Sequence, residues 1–574
     1  MAGKTVHFDL FDEQMPRLMA DWSTPGCAVA IVKDGSILHW KGYGYRDIEK
    51  RLPIDLNTVF AIGSTSKAFT SATAAILVDE GLLDWDTPVK QYIPEFDLVD
   101  QLAAERMTVR DLLSHRGGLP RHDGVWYGTS FTRKEVFERL KYLQPSADFR
   151  TTYQYQNMMF MAAGYLIERI TGQTWEEFTR RHILEPLGMS RTTLGVEGLR
   201  QTENVAVPYG VSNGENKSMP YRDLDVIAPA GGVNSCLADL AKWVCMQLEG
   251  GSLENHTIVS TDNLFVTHTA HTNLEDNHNR LLLPFKEIGK EQYGLGWFIH
   301  DYRGRRLLRH GGHIDGFSTQ ISFMPEIGAG VIVLSNIGGS NFMFVPTFMA
   351  YDVLLDQPMV DWSARLRAED AKTRQTGEDV TAWLAQQQIQ RTAPSHAIAD
   401  YAGTYRHIAY GDVKISSENG SLKADFNTRA VQLKHFHYDT FEWSTGRPGV
   451  VPLKACFRTD WMGHLEGFSL QLEPMTEPLW FARQSELTLT DPAVLTGYTG
   501  CYVWNEQPVR VELIQGCLRL MMPGFPNMQL EAYQPDLFKV TGHAGWYVEF
   551  HGKPVEGFSL VQPSALFQVC KSRS

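Results

Sequence analysis

Four short strings recur in the last third of this chain, in the same order and at nearly constant separation. They constrain the fold more than any other feature. YAGTY at 401–405 returns as YTGCY at 498–502, and GSLKADF at 420–426 returns as GCLRLMM at 516–522. Asp439-Thr440-Phe441 returns as Asp536-Leu537-Phe538, and EGFSL at 466–470 recurs letter for letter at 556–560. Ordered recurrence of this kind marks a duplicated structural unit. Each copy, roughly 90 residues long, alternates apolar and polar residues in short runs broken by Gly turns, which suits an antiparallel β-barrel. Neither copy gathers serine, histidine and carboxylate residues into one set, so two non-catalytic barrels are expected at 393–488 and 489–574.

Ahead of the repeat the periods are mixed. CAVAIVKDGSILHWKGYGYRD alternates around a Lys33-Asp34-Gly35 turn, a hairpin signal. The next stretch changes to helical spacing, with Phe69, Ala72, Ile76, Leu77 and Leu83 recurring and Gly81 as a helix end. Helical patterns continue through VRDLLSH, MMFMAAGYLIERITG and WEEFTRRHILEPLGM. Strand-like runs return in YGLGWFIHDYRGRRLLRHGG, STQISFMPE and AGVIVLSNIG. Strands at both ends of a helical middle predict an α+β domain over 1–355, one mainly antiparallel sheet packed by helices. The charged, Gln-rich stretch 356–392 reads as a solvated helical connector.

Bulk properties exclude several classes. A net charge of −13 argues against a nucleic-acid backbone or an anionic membrane surface as partner. No window approaches the roughly 18 unbroken apolar residues of a membrane span. The opening MAGKTVHFDLFDEQ lacks the apolar core of a secretion signal. The 7 cysteines are odd in number and never spaced C-x-x-C, which suits reduced thiols in a cytoplasmic protein.

Three short motifs carry candidate chemistry. Ser64-Thr65-Ser66-Lys67 is the sole S-x-x-K, and on a helical turn positions three apart share a face, so Ser64 meets Lys67 and Ser66 does not. One reading has Ser64 as a helix cap and Lys67 solvated. The other notes the apolar flanks Ala61, Ile62, Ala68, Phe69 and Ala72, which would bury the lysine and lower its pKa toward that of a base. In TTYQYQNMMF, Tyr155 and Asn157 are either a core tyrosine and a helix cap or a phenol relaying a proton and a polar orienting group. Only Tyr155 has Asn two residues on, so Tyr153 is set aside. His310-Gly311-Gly312-His313 follows a strand-like run. It is either a turn between strands or a cleft-lining edge whose His313 N–H faces a reacting carbonyl. His268, His271 and His278 lie near Glu275 and Asp276, a metal-like grouping. The stretch is aperiodic and rich in Asn and Thr, so an exposed loop is expected and no metal is assigned.

Taken in order, S-x-x-K, Y-x-N and H-G-G resemble the serine β-lactamase/penicillin-binding-protein superfamily, in its class C-like serine hydrolase branch. LLSHRGGLP at 112–120, LEPLGM at 184–189, APAGGVNS at 228–235 and YGLGW at 293–297 extend the likeness. The resemblance implies that Ser64 is the acylated nucleophile, Lys67 its activating partner and Tyr155 the general acid/base. It also implies that Asn157 orients the substrate amide or Lys67, and that the N–H groups of Ser64 and His313 form the oxyanion hole. His310, Gly311 and Gly312 replace the K-T-G that grips a substrate carboxylate in β-lactamases and DD-carboxypeptidases. H-G-G looks more like the D-stereospecific aminopeptidases and certain esterases, and those aminopeptidases also carry two C-terminal barrels. His122 and Asp123 follow a cleft-side segment and either read substrate or pair with each other. The implied activity is cleavage of amide or ester bonds in a small molecule or short peptide through an acyl-enzyme. A D-stereospecific (amino)peptidase or amidase leads, with a carboxylesterase as the alternative. A β-lactamase, a DD-carboxypeptidase or a non-catalytic scaffold ranks below both. No metal or organic cofactor is implied, no nucleic acid or membrane partner is expected, and a homo-oligomer is compatible with this reading.

Overall fold

The computed structural model describes residues 8–254, 256–274, 285–444, 450–485 and 487–572. Two compact units divide the chain, Met1–Thr376 and Gly377–Ser574. Among the described residues no helix is long and apolar enough to cross a membrane.

The first unit is built on a nine-stranded antiparallel sheet. Its spatial order is Thr272–Asn273, Ile288–Tyr293, Phe298–Tyr302, Arg305–Ile314, Phe317–Met324, Ala329–Ser335, Gly26–Lys33, Ser36–Asp47 and Leu52–Pro53. The hairpin read from sequence is present: Asp34 and Gly35 take φ of 50° and 78°, as a tight two-residue turn requires. Its first strand pairs with the late Ala329–Ser335 strand, so an early and a late segment of the unit lie side by side within the sheet. One face carries an apolar core that includes Phe11, Met15, Val29, Val333, Phe348 and Trp362.

The helical middle packs around Lys67–Asp79 and Asn157–Thr171. Both helices end where glycine adopts a left-handed conformation, at Gly81 (φ 70°) and Gly172 (φ 70°). A Cβ on Gly164 would stand 2.2 Å from Pro229 Cγ, so this glycine lets the second helix press against the 228–235 segment. That segment is tied to the residues around Ser64 by a small sheet in which Val233–Ser235 pairs with Phe60–Ala61.

The helix Trp362–Gln386 starts inside the 356–392 stretch. Trp362 and Leu366 are buried in the first unit's core, and Trp362 Nε1 donates to Asp352 Oδ2 at 2.9 Å. The first compact unit therefore runs past 355, because the opening turns of this helix are apolar on the inward side even though the stretch as a whole is charged.

The second unit holds two closed antiparallel barrels of eight strands each, running from Gly403–His407 to Leu479–Arg483 and from Gly500–Trp504 to Ala565–Lys571. The recurring strings have a common physical cause. Tyr405 Oη donates to the Tyr401 carbonyl at 2.8 Å, and Tyr502 Oη does the same to Tyr498. Tyr401 and Tyr498 each donate through their hydroxyls to the recurring aspartate, Asp439 or Asp536. Gly403 and Gly500 both take φ of 153°. Gly467 and Gly557, the glycines of EGFSL, both lack room for a Cβ: it would stand 2.3 Å from Phe481 O and 2.5 Å from Val569 O.

Candidate active site

Ser64 lies on a single 3-10 turn, Gly63–Ser66, that runs into the Lys67–Asp79 helix. In a 3-10 turn residues three apart eclipse one another, which sets Lys67 over Ser64. The residue at the helix N-cap is Ser66, without a side-chain capping bond, and not Ser64. Its Oγ lies 3.1 Å from Lys67 Nζ and accepts from Tyr155 Oη at 2.7 Å. Ser66 is turned away, donating to Gly63 O at 2.6 Å and accepting from Val233 N at 3.0 Å.

Lys67 is wholly buried. Besides Ser64, its Nζ contacts Asn157 Oδ1 at 2.8 Å and the Ala230 carbonyl at 3.0 Å. Burial, aided by the Arg121 guanidinium and opposed by Asp123, holds its pKa well below the usual lysine range. A neutral amine has two N–H bonds and one lone pair. The amide oxygen and the carbonyl can only accept, so both N–H bonds go to them and the lone pair is left facing the Ser64 hydroxyl.

Tyr155 stands just before its helix, and burial pushes its pKa up to about 12, with the Ser64 hydrogen bond and Arg121 pulling down and Asp123 pushing up. The resting group is a neutral phenol. Gln156, not Asn157, caps the helix, its Oε1 accepting from Met158 N at 2.9 Å. Asn157 is thereby free to face Lys67. Its orientation is fixed from behind, because Asn157 Nδ2 donates to Asp123 Oδ1 at 3.2 Å. Asp123 also accepts from Arg121 Nε at 2.7 Å and Trp126 Nε1 at 2.9 Å, while the His122 ring meets the Gln144 carbonyl at 2.9 Å. Tyr153 is buried, and its hydroxyl has no hydrogen-bond partner among the described residues.

His310 to His313 lie in the Arg305–Ile314 strand, not in a turn. The neighbouring Phe298–Tyr302 strand pairs only as far as Arg309, so the H-G-G-H backbone runs on with that edge open. Gly312 is where it meets the serine turn: a Cβ there would stand 1.8 Å from Ile62 O. A Cβ on Gly63 would stand 3.1 Å from His313 N, which measures how closely the two backbones approach. His310 is buried and neutral. Its Nδ1–H donates to Gly311 O at 2.8 Å and its Nε2 accepts from Tyr293 Oη at 2.9 Å, while burial holds its pKa well below the usual histidine range. The strand thus presents no cation where K-T-G would.

Ser64, Lys67, Tyr155 and Asn157 are therefore brought into one hydrogen-bonded group, with the backbone of Gly312 and His313 against it. Sequence reasoning missed the Ala230 carbonyl and left out Asp123. A backbone oxygen has no letter of its own; the APAGGVNS likeness was the available signal. Of the metal-like grouping, Glu275, Asp276 and His278 lie outside the described residues. His268 is not on an exposed loop: it ends the Thr261–His268 helix, buried, with Nε2 at 2.7 Å from Gln247 Oε1.

Residues 11–355 match the family model described as Beta-lactamase, and residues 387–483 match a domain of unknown function, DUF3471. The chain is 32% identical over 441 residues to the Unguisins hydrolase ungD' of Aspergillus campestris (strain IBT 28561), covering 72% of this chain and 79% of that one. It is 30% identical to the Unguisins hydrolase ungD of Aspergillus violaceofuscus (strain CBS 115571), covering 77% and 84%. Among solved structures, the octameric penicillin-binding protein homologue from Pyrococcus abyssi shares the fold at a TM-score of 0.54 and 24% identity, over 82% of this chain and 100% of that one. SurE shares it at a TM-score of 0.50 and 18% identity, over 83% and 98%.

Proposed function

Because the chain belongs to the beta-lactamase family, we propose that it is a serine hydrolase that opens amide or ester bonds of small substrates through an acyl-enzyme at Ser64. The observation that carries this reading is the contact of the buried Lys67 Nζ with Ser64 Oγ at 3.1 Å, with two acceptors, Asn157 Oδ1 and the Ala230 carbonyl, held on the same nitrogen. In the acylation step Ser64 Oγ attacks the carbonyl carbon and its proton passes to Lys67 Nζ. The backbone N–H groups of Ser64 and His313 receive the oxyanion; one such donor is typically worth about 3 kcal/mol. Tyr155 Oη, in contact with Ser64 Oγ, delivers a proton to the leaving nitrogen or oxygen and is reprotonated from Lys67. The carbon–leaving-group bond then breaks and the acyl group stays on Ser64. Water repeats the sequence in reverse, releasing the acid and restoring the hydroxyl.

A D-stereospecific aminopeptidase or amidase is the substrate class we favour, supported by His310-Gly311-Gly312 in place of K-T-G and by the paired barrels. The neutral His310, with both ring nitrogens engaged, leaves no charge there to hold a penicillin carboxylate. A carboxylesterase uses the same acylation chemistry and is the second reading. We place the protein in the cytoplasm, a reading supported by its free cysteines. Incubation with a fluorophosphonate followed by peptide mass spectrometry is expected to find the adduct on Ser64 and none in Ser64→Ala. Labelling elsewhere, or none at all, defeats the proposal. Parallel assays on p-nitrophenyl esters and on D- and L-aminoacyl p-nitroanilides then separate the two substrate classes.

A further inference from the structure

We infer that His115 is a positioning residue for Tyr155: its ring nitrogen and its carbonyl clamp the backbone on both sides of the phenol and so set it beside Ser64. This rests on the serine-hydrolase reading above. Gln154 N donates to His115 O at 2.7 Å, and Gln156 N donates to His115 Nδ1 at 3.1 Å. The two residues flanking Tyr155 thus anchor to one partner, 40 positions away in the chain (155 − 115). The imidazole also lies against the phenol ring itself, 4.4 Å between centroids, and against Tyr293 at 4.8 Å.

The arrangement is costly, and packing alone does not account for it. His115 is wholly buried and holds φ of 58°, a left-handed conformation rare outside Gly, Asn, Asp and His. Because Gln156 N is a donor, Nδ1 must carry the lone pair, which places the ring proton on Nε2. That buried Nε2 has no hydrogen-bond partner among the described residues. An orphaned buried donor and a strained backbone both oppose folding. A leucine would fill the ring's space without stranding a donor but would tolerate φ of 58° less well; beyond that tolerance, what the imidazole adds is the acceptor at Nδ1. The acceptor works only while the ring is neutral. An imidazolium would point a second N–H at Gln156 N, and burial keeps the ring from charging.

A double-mutant cycle tests the inference. His115→Leu is expected to slow acylation about 30-fold, with KM nearly unchanged, as the loss of most of one general acid–base contribution. In a Tyr155→Phe background the same change is expected to cost less than about twofold, because a residue acting through the phenol has nothing left to act on. His115→Asn keeps a side-chain acceptor and tolerates positive φ, and is expected to stay within about threefold of the parent. Additive costs in the cycle, or a folded His115→Asn as slow as the leucine variant, overturn the proposal. Where His115→Leu does not fold, the asparagine variant decides alone: a loss above about tenfold refutes an acceptor role. Activity persisting in Ser64→Ala defeats the underlying serine-hydrolase reading instead, so the two failures are distinct.

Discussion

Lys67 is the residue on which the candidate chemistry turns, and its charge state makes a pH prediction. Its pKa lies well below the ordinary 10.5, and the phenol of Tyr155 ionises only near 12. The base must be neutral and the acid protonated. Activity should therefore rise as pH climbs through the lowered Lys67 value, level off, and fall only when Tyr155 ionises. A pH profile of kcat/KM is expected to show its acid limb well below 10.5. Lys67→Arg carries a charge at every accessible pH and is expected to lose at least about 100-fold at all of them. At this scale much was legible, because Ser64 and Lys67 are three apart on one turn and covalent geometry alone makes them neighbours. The Ala230 carbonyl, 163 positions from Lys67, was not legible, since nothing local brings it there.

At the scale of elements, the strand Arg305–Ile314 is set against the serine turn by glycines with unequal burdens. A Cβ on Gly312 would collide with the Ile62 carbonyl at 1.8 Å, and a backbone cannot yield cheaply. On Gly311 the nearest atoms are Met343 Cε at 2.9 Å and Gln320 Oε1 at 3.0 Å, ends of flexible side chains. Gly312→Ala is expected to push the strand from Ser64 and cut kcat at least about 100-fold, while Gly311→Ala keeps activity within about fivefold. Steady-state kinetics on purified, folded variants check both. The motif H-G-G was readable as a close approach. Which of its glycines bears the contact was not, because that depends on which face of the strand meets the turn.

Across the whole molecule, each compact unit has its own apolar core, one including Phe348, Trp362 and Leu366 and another including Tyr502, Leu518 and Phe558. The boundary that matters for the first unit is the buried start of the Trp362–Gln386 helix. A protein ending at 355 lacks Trp362 and Leu366, two core side chains each worth roughly 2–3 kcal/mol of burial. A protein ending at 376 keeps both. Thermal unfolding should show the 376 form melting several degrees higher than the 355 form, about 4 kcal/mol more stable by denaturant titration. Equal stability of the two would mean that the helix start contributes nothing to the first core.

What the sequence by itself determined was what short-range geometry dictates: which serine meets which lysine, where turns require glycine, and that a unit near the C-terminus is duplicated. Tyr401 with Asp439, and Tyr498 with Asp536, recur because each barrel closes the same hydrogen bond, and that recurrence survives in the letters. Only the tertiary structure decided that Asp123 orients Asn157, that Ala230 lends its carbonyl to Lys67, and that His115 brackets Tyr155. Those contacts join segments whose separation in space is set by packing and not by the covalent chain. Burial, which takes Lys67 out of water and makes its amine a base, is likewise a property of the assembled interior, not of any four-residue string.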